Sequence, residues 1–252
     1  GGWHTRRLQE IPEVHLAGVY DILPERNQAA EEVGIHAYSS YEELLADPNV
    51  DVVTVAIPND AHKDVCIQAM EAGARGKFIP ASLNKDGSLG RYSSTLDREG
   101  LQTVLAYLQQ HWQGIRLRAN SIGAYLAMLA WEDPARALLV SPILDMEELI
   151  RTMMGWAGVT EEELRARGEI PTSFGQTLSW EYLTWVQKHP VHTWSCPIRI
   201  LYGSGDSMMP RRTAEEYARR HNAELTVAEG GEHWFHTPEQ LAAMREWAER
   251  EP

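Results

Sequence analysis

Apolar positions along the chain switch repeatedly between a two-residue and a helical period. "HLAGVYD" (15–21) reads as a strand, and "PERNQAAEEVG" (24–34) as a helix with proline at its start and glycine past its end. "YEELLADPNV" (41–50) is a short helix. "DVVTVAI" (51–57) is a nearly continuous β-branched run, the pattern of a parallel strand covered on both faces. "AHKDVCIQAMEAG" is an amphipathic helix stopped by Gly73, "GKFIPAS" a strand and "NKDGSLGRYSS" a loop. The alternation continues with the helix "GLQTVLAYLQQHW", the strand "GIRLRAN" and the helix "GAYLAMLAW". "RALLVSP", "PIRILYG" and "ELTVAEG" are further strands, and "TPEQLAAMREWAER" closes the pattern as a helix with a Thr-Pro start. This rhythm predicts an α/β fold: a mostly parallel, twisted sheet with helices on both faces.

One stretch departs from it. Residues 146–195 hold helical patterns and no strand candidate, including "TEEELRAR" with an N-cap threonine and an acidic first turn. An insertion of that size between two strands predicts a helical cap or an extra helical layer.

Composition narrows the classes of function. The net charge of −13, from 36 acidic and 23 basic side chains, argues against nucleic acid and against an anionic membrane surface. Two cysteines, Cys66 and Cys196, imply no disulfide framework. No apolar run reaches the length of a membrane span, and "GGWHTRRLQEIPE" lacks a signal-peptide core. The expectation is a soluble, cytoplasmic protein. Nine tryptophans against three phenylalanines are unusual, and Trp131, Trp156, Trp180, Trp185 and Trp194 fall in one region. Burial in the core and the lining of an apolar pocket both account for them.

Candidate chemistry begins at "LRANSIGAYLAML" (117–129), where a strand pattern meets a helix pattern at Ser121. A nucleophilic serine on a strand-to-helix turn needs small neighbours two positions away, here Ala119 and Gly123. Ser121 as a plain helix N-cap is the competing reading. Two later strands end in "YGSGD" and "AEGGEH", which place Asp206 and His233 just past their carboxyl ends. Carboxyl ends of parallel strands converge on one edge of a sheet, so serine, acid and histidine can meet there. Each also has an ordinary reading: Asp206 as the cap of the following helix, His233 as a structural histidine. A metal site from His233 and His236 has no carboxylate or cysteine pattern to complete it.

From about residue 101 to the end, the order Ser121, Asp206, His233 resembles the serine esterase-like α/β-hydrolases. The resemblance implies Ser121 as nucleophile, His233 as general base and Asp206 as the acid that fixes its tautomer. It also implies the Ile122 N–H as one oxyanion donor, with residues 81–145 and 196–252 as the core and 146–195 as the cap. Its substrate would be a small ester or related acyl compound, with no cofactor and no metal.

Residues 1–80 resemble a different family, the nucleotide-binding domain of the Gfo/Idh/MocA oxidoreductases. The Gly-Gly turn, the acid in "VYDILPER", "YEELLADPNVD" and "VAIPNDAH" carry the likeness. It implies Gly1 and Gly2 in a phosphate turn and Asp21 on a ribose. The strand before that turn and the family's Glu-Lys-Pro motif have no counterpart here, where the latter region reads "GKFIPASLN". The chain therefore looks like a recombined or engineered chimera, its first 80 residues supplying the first part of a hydrolase-like sheet. In that arrangement the second oxyanion donor falls in Pro58-Asn59-Asp60, where proline has no N–H and the Asn59 N–H remains. "HLAGVYD" and "RALLVSP" compete for one place beside "GIRLRAN". Three expectations follow: an active serine hydrolase, a folded chimera with little or no activity, or a vestigial NAD(P)-binding module. A homodimer is expected if surfaces inherited from two sources leave apolar area uncovered.

Overall fold

The computed structural model describes residues 2–10, 12, 14–57, 59–72, 75–78, 94–111 and 113–250. Gly1, Pro58, Gly73, the end of "GKFIPAS" and most of the "NKDGSLGRYSS" loop lie outside these residues. The backbone divides into two units, residues 1–90 and 91–252.

In the first unit, helices α1 (Gly2–Gln9), α2 (Pro24–Glu31) and α3 (Tyr41–Ala46) precede β1 (Val52–Val55). Helix α4 (Asn59–Glu71) then leads to β2 (Arg75–Phe78), which pairs with β1 in parallel, Val52 opposite Arg75. Ser40 caps α3 by accepting from the Glu43 N–H at 3.0 Å. Val53, Val55 and Cys66 form a small core with Leu44, Leu45 and Val65 packed on it. Val52 is exposed, so β1 buries one face where its β-branched run predicted two. The predicted strand at 15–21 is reduced to a single parallel bridge between Val19 and Ala37. There the Val19 N–H donates to His36 O and the Tyr38 N–H to Val19 O, both at 2.9 Å. Gly18 sits beneath this crossing, where an added Cβ would lie 2.6 Å from the Tyr38 ring. The alternating pattern is thus satisfied by one tight crossing and no ladder forms.

The second unit opens with α5 (Ser94–His111) and β3 (Arg116–Asn120), then α6 (Ile122–Ala130) and β4 (Arg136–Val140). Helices α7 (Met146–Ala157) and α8 (Glu161–Arg167) follow, then the short strands β5 (Glu169–Pro171) and β6 (Thr177–Ser179) and helix α9 (Trp180–Lys188). Strand β7 (Ile198–Gly203), α10 (Arg211–His221), β8 (Glu224–Ala228) and α11 (Pro238–Glu249) complete it. Strands β3, β4, β7 and β8 lie in that order in one parallel sheet. "RALLVSP" therefore supplies the neighbour of "GIRLRAN", as β4.

Helices cover both faces of this sheet. Ala137, Leu139, Ile198, Ile200 and Tyr202 face a core shared with α5, α6 and α10. Val140 and Leu201, on the alternate side, pack with Phe235 and Trp247 of the opposite layer. All six residues of β7 are buried, as in a parallel strand covered on both faces. Arg199, also buried, directs its guanidinium to the carboxyl end of α11, donating to Trp247 O at 2.7 Å and Arg250 O at 2.6 Å.

The region predicted as mostly helical, with no strand candidate, contains one antiparallel pair, β5 with β6. Ile170 and Leu178 face each other across it and are both buried. Three-residue strands are too short for a two-residue period to register in the sequence. Trp131 and Trp194 belong to the core, the Trp194 indole donating to Trp131 O at 2.7 Å. Trp180 and Trp185 pack half-buried on the cap cluster, and Trp156 is exposed. Among the described residues no helix is long and apolar enough to cross a membrane.

Stability of the first unit should fall in alkali. Burial pushes the Cys66 thiol from 9.0 up to about 12 and the Tyr41 phenol from 10.0 up to about 12. The hydrogen bond to Asp47 raises Tyr38 to about 12. The unfolded chain loses these protons first, so their contribution is complete below about pH 9 and disappears as pH rises towards 12. Urea unfolding monitored at pH 8, 9.5 and 10.5 should show this decline, with a shallower slope in Cys66→Ala.

Candidate active site

Ser121 sits between β3 and α6 with φ 50° and ψ −125°, a backbone that L residues rarely adopt. It occupies the N-cap position, yet its side chain makes no capping hydrogen bond. Its peptide is held from both sides by the end of β4. The Ser121 N–H donates to Val140 O at 3.0 Å, and Ser121 O accepts from the Ile143 N–H at 3.1 Å. Ser141, between them, also has a positive φ of 43° and is fully buried. Two strained residues on neighbouring strands therefore turn the chain upward at one edge of the sheet.

Small residues flank the turn, but for different reasons than the sequence implied. Ala119 is buried in the core. At Gly123 an added Cβ would meet nothing within 4 Å, so glycine is not sterically demanded there.

Asp206 and His233 arrive from β7 and β8. The Ser121 hydroxyl lies 2.8 Å from His233 Nε2, and His233 Nδ1 lies 2.8 Å from Asp206 Oδ2. The His233 and Asp206 side chains are 3% and 0% exposed. A proton on Nδ1, donated to the carboxylate, leaves Nε2 as the acceptor for the serine hydroxyl. The other carboxylate oxygen, Oδ1, accepts from the backbone N–H groups of Met208 at 2.8 Å and Met209 at 3.2 Å. These bonds close a turn before α10, whose N-cap is Pro210, so Asp206 does not cap that helix. The Tyr202 hydroxyl pins the same loop by donating to Met209 O at 2.8 Å. His236 is exposed and turned to Glu232, at 3.3 Å, away from this cluster.

The two loops are clasped through glycines whose role the sequence reading missed. The Gly205 N–H donates to Gly231 O at 2.8 Å, and the Gly230 N–H donates to Ser204 Oγ at 2.8 Å. A Cβ on Gly203 would lie 2.4 Å from Gly231 O and 2.6 Å from its carbonyl carbon. Backbone meets backbone here, with no flexible side chain to yield. The signal in the sequence was the glycine pairing of "YGSGD" and "EGGEH", 28 residues apart at Gly203 and Gly231.

Ile122 is the first residue of α6, and an N–H in that position has no carbonyl one turn back to bond. Asn59 is the first residue of α4, in the first unit. Asp21 closes its own loop: its carboxylate accepts from the Leu23 N–H at 3.0 Å and from Arg26 Nη1 at 3.2 Å. A ribose would compete with both.

Comparison with known proteins divides the chain. Residues 1–75 match the oxidoreductase family with an NAD-binding Rossmann fold. Over 77 residues the chain is 36% identical to inositol 2-dehydrogenase/D-chiro-inositol 3-dehydrogenase of Lactiplantibacillus plantarum, covering 29% of this chain and 22% of that protein. Over 76 residues it is 38% identical to inositol 2-dehydrogenase of Salmonella typhimurium, covering 29% and 23%. The chain thus spans less than a quarter of the length of these curated relatives. Solved structures give a different answer. Est1E from Butyrivibrio proteoclasticus superposes with a TM-score of 0.54 at 17% identity, over 80% of this chain and 88% of its own. Est1E with ferulic acid bound gives 0.55 at 17% identity, over 78% and 86%. The fold is that of the α/β-hydrolases. An oxidoreductase-like sequence at the start and a hydrolase fold across most of the chain are the two sources expected of a chimera.

Substitution at the clasp separates packing from position. Gly203→Ala should lower stability by about 1–3 kcal/mol, because the backbone must shift to admit the methyl group. Gly123→Ala, in a helix with open space, should be neutral or gain about 0.5–1 kcal/mol. Urea unfolding of both variants at neutral pH checks the contrast.

Proposed function

We propose that the protein is a serine hydrolase of small esters or related acyl compounds. The observation that carries this reading is the hydrogen-bonded run from Ser121 Oγ through His233 to a fully buried Asp206, with the serine on a strained turn. In this reading His233 takes the hydroxyl proton as Oγ attacks the ester carbonyl. Asp206 holds the imidazole and stabilises its positive charge. The Ile122 N–H, at the start of α6, stabilises the oxygen that becomes negative. His233 then delivers its proton to the departing alcohol. Water releases the acid from the acyl-serine by the same route.

The structural likeness to Est1E, one of whose solved structures holds ferulic acid, agrees with a carboxylic ester as substrate. An esterase is therefore the first reading. The match of residues 1–75 to an NAD-binding family favours a second one, retained nucleotide binding. A rise in melting temperature with added NAD or NADP would support it, since a ligand of the folded state stabilises that state.

The primary test is intact mass after incubation with a fluorophosphonate. One adduct on the parent protein and none on Ser121→Ala is the expected result, and an unlabelled but folded parent would sink the proposal. Asp206→Asn should keep the fold and lower kcat by about 10⁴-fold through the wrong histidine tautomer, measured on an activated ester.

A further inference from the structure

Between two buried residues, His233 and Phe235, the chain presents Trp234 with 65% of its surface exposed. The backbone enforces this display. Phe235 has a φ of 41°, a left-handed conformation disfavoured for a bulky residue, and its ring is buried against Val140, Leu201 and Trp247. His233 turns inward to Ser121 and Asp206, leaving the intervening indole outside. The indole nevertheless touches the site: its ring lies edge-on to the His233 imidazole, with centroids 5.0 Å apart and planes at 84°. An exposed tryptophan has large apolar area and a free π face, both suited to a planar ligand group.

The side of the reaction this indole serves follows from the proton's path. Granting the hydrolase reading above, His233 hands its proton to the oxygen of the departing alcohol. The leaving group must therefore lie against the imidazole, and a ring abutting that imidazole meets the alcohol portion of the ester before the acyl portion. We infer that Trp234 is a leaving-group platform that selects esters of aromatic alcohols over esters of alkyl alcohols. Its neighbour Glu232 carries an exposed carboxylate, which favours a neutral aromatic group over an anionic one on this approach.

The test uses two acetate esters, benzyl acetate and n-butyl acetate, which share one acyl-enzyme. Differences in kcat/KM between them then report the leaving group alone. The parent should prefer the benzyl ester, and Trp234→Ala should reduce that preference by about three- to tenfold, the worth of an aromatic pair. Trp234→Phe should restore most of it. Equal losses on both esters would assign Trp234 a structural role and overturn the inference, as would an unchanged ratio. Fluorophosphonate labelling of Ser121 in all three proteins distinguishes the two levels of failure. An unlabelled parent refutes the hydrolase reading itself, whereas labelling of every variant with no change in ratio refutes the platform alone.

Discussion

Helix α6 has no solvent face, and that constraint fixes the geometry around Ser121. Seven of its residues, Ala124 to Ala130, are buried. Ala124, Ala127, Met128 and Ala130 close the sheet core, while Tyr125, Leu126 and Leu129 enter the separate cluster shared with α7, α8 and α9. A helix apolar all round belongs in the middle of a layered structure. Rotating or sliding it would open two cores together, at about 1.5–3 kcal/mol for each large side chain exposed. The strained backbone at Ser121 costs on the order of 1–3 kcal/mol. Burial of the helix behind it and the two hydrogen bonds from the end of β4 hold that strain in place.

Helices α7 and α8 are tied to the rest of the second unit by polar as well as apolar contacts. Asp145 caps α7 by accepting from the Glu148 N–H at 2.9 Å, and the Glu148 carboxylate accepts from Arg212 and Thr213 at the start of α10. The loop carrying Asp206 runs directly into α10. The positions of α7 and of the acid are therefore linked through one helix end. Arg151, bonded to Glu147 and Glu161, ties α7 to α8 in the same way. Such exposed pairs contribute little singly, so their role is orientation more than stability.

Much of this architecture was legible in the chain. The strand β3 announces itself by alternation, β4, β7 and β8 by mainly apolar stretches, and α8 and α11 by Thr160 and Thr237 with capping boxes. Ser121, Asp206 and His233 were legible because each follows a recognisable strand, and parallel strands deliver their carboxyl ends to one edge. The bridge at Val19 was not, because an alternating pattern records a preference for extended backbone and not the number of partners available. The Ile170–Leu178 pairing was too short to carry a period. The contact of Gly203 with Gly231 depends on two loops meeting, which no local window contains.

Asp206 explains why these loops must be so tightly held. A carboxylate with no exposed surface is sustained only by partners that replace its lost hydration. Here they are the Met208 and Met209 N–H groups on one oxygen and the His233 ring on the other. Moving the histidine loop away would leave a buried charge short of one partner, so the Gly203–Gly231 approach and the ionised carboxylate reinforce each other. The geometry that aligns Ser121 with His233 is in this sense also a condition for folding this edge of the sheet. Every group in the run from Ser121 to Asp206 belongs to the second unit, so the partners that sustain the buried carboxylate are the same ones that polarise the serine.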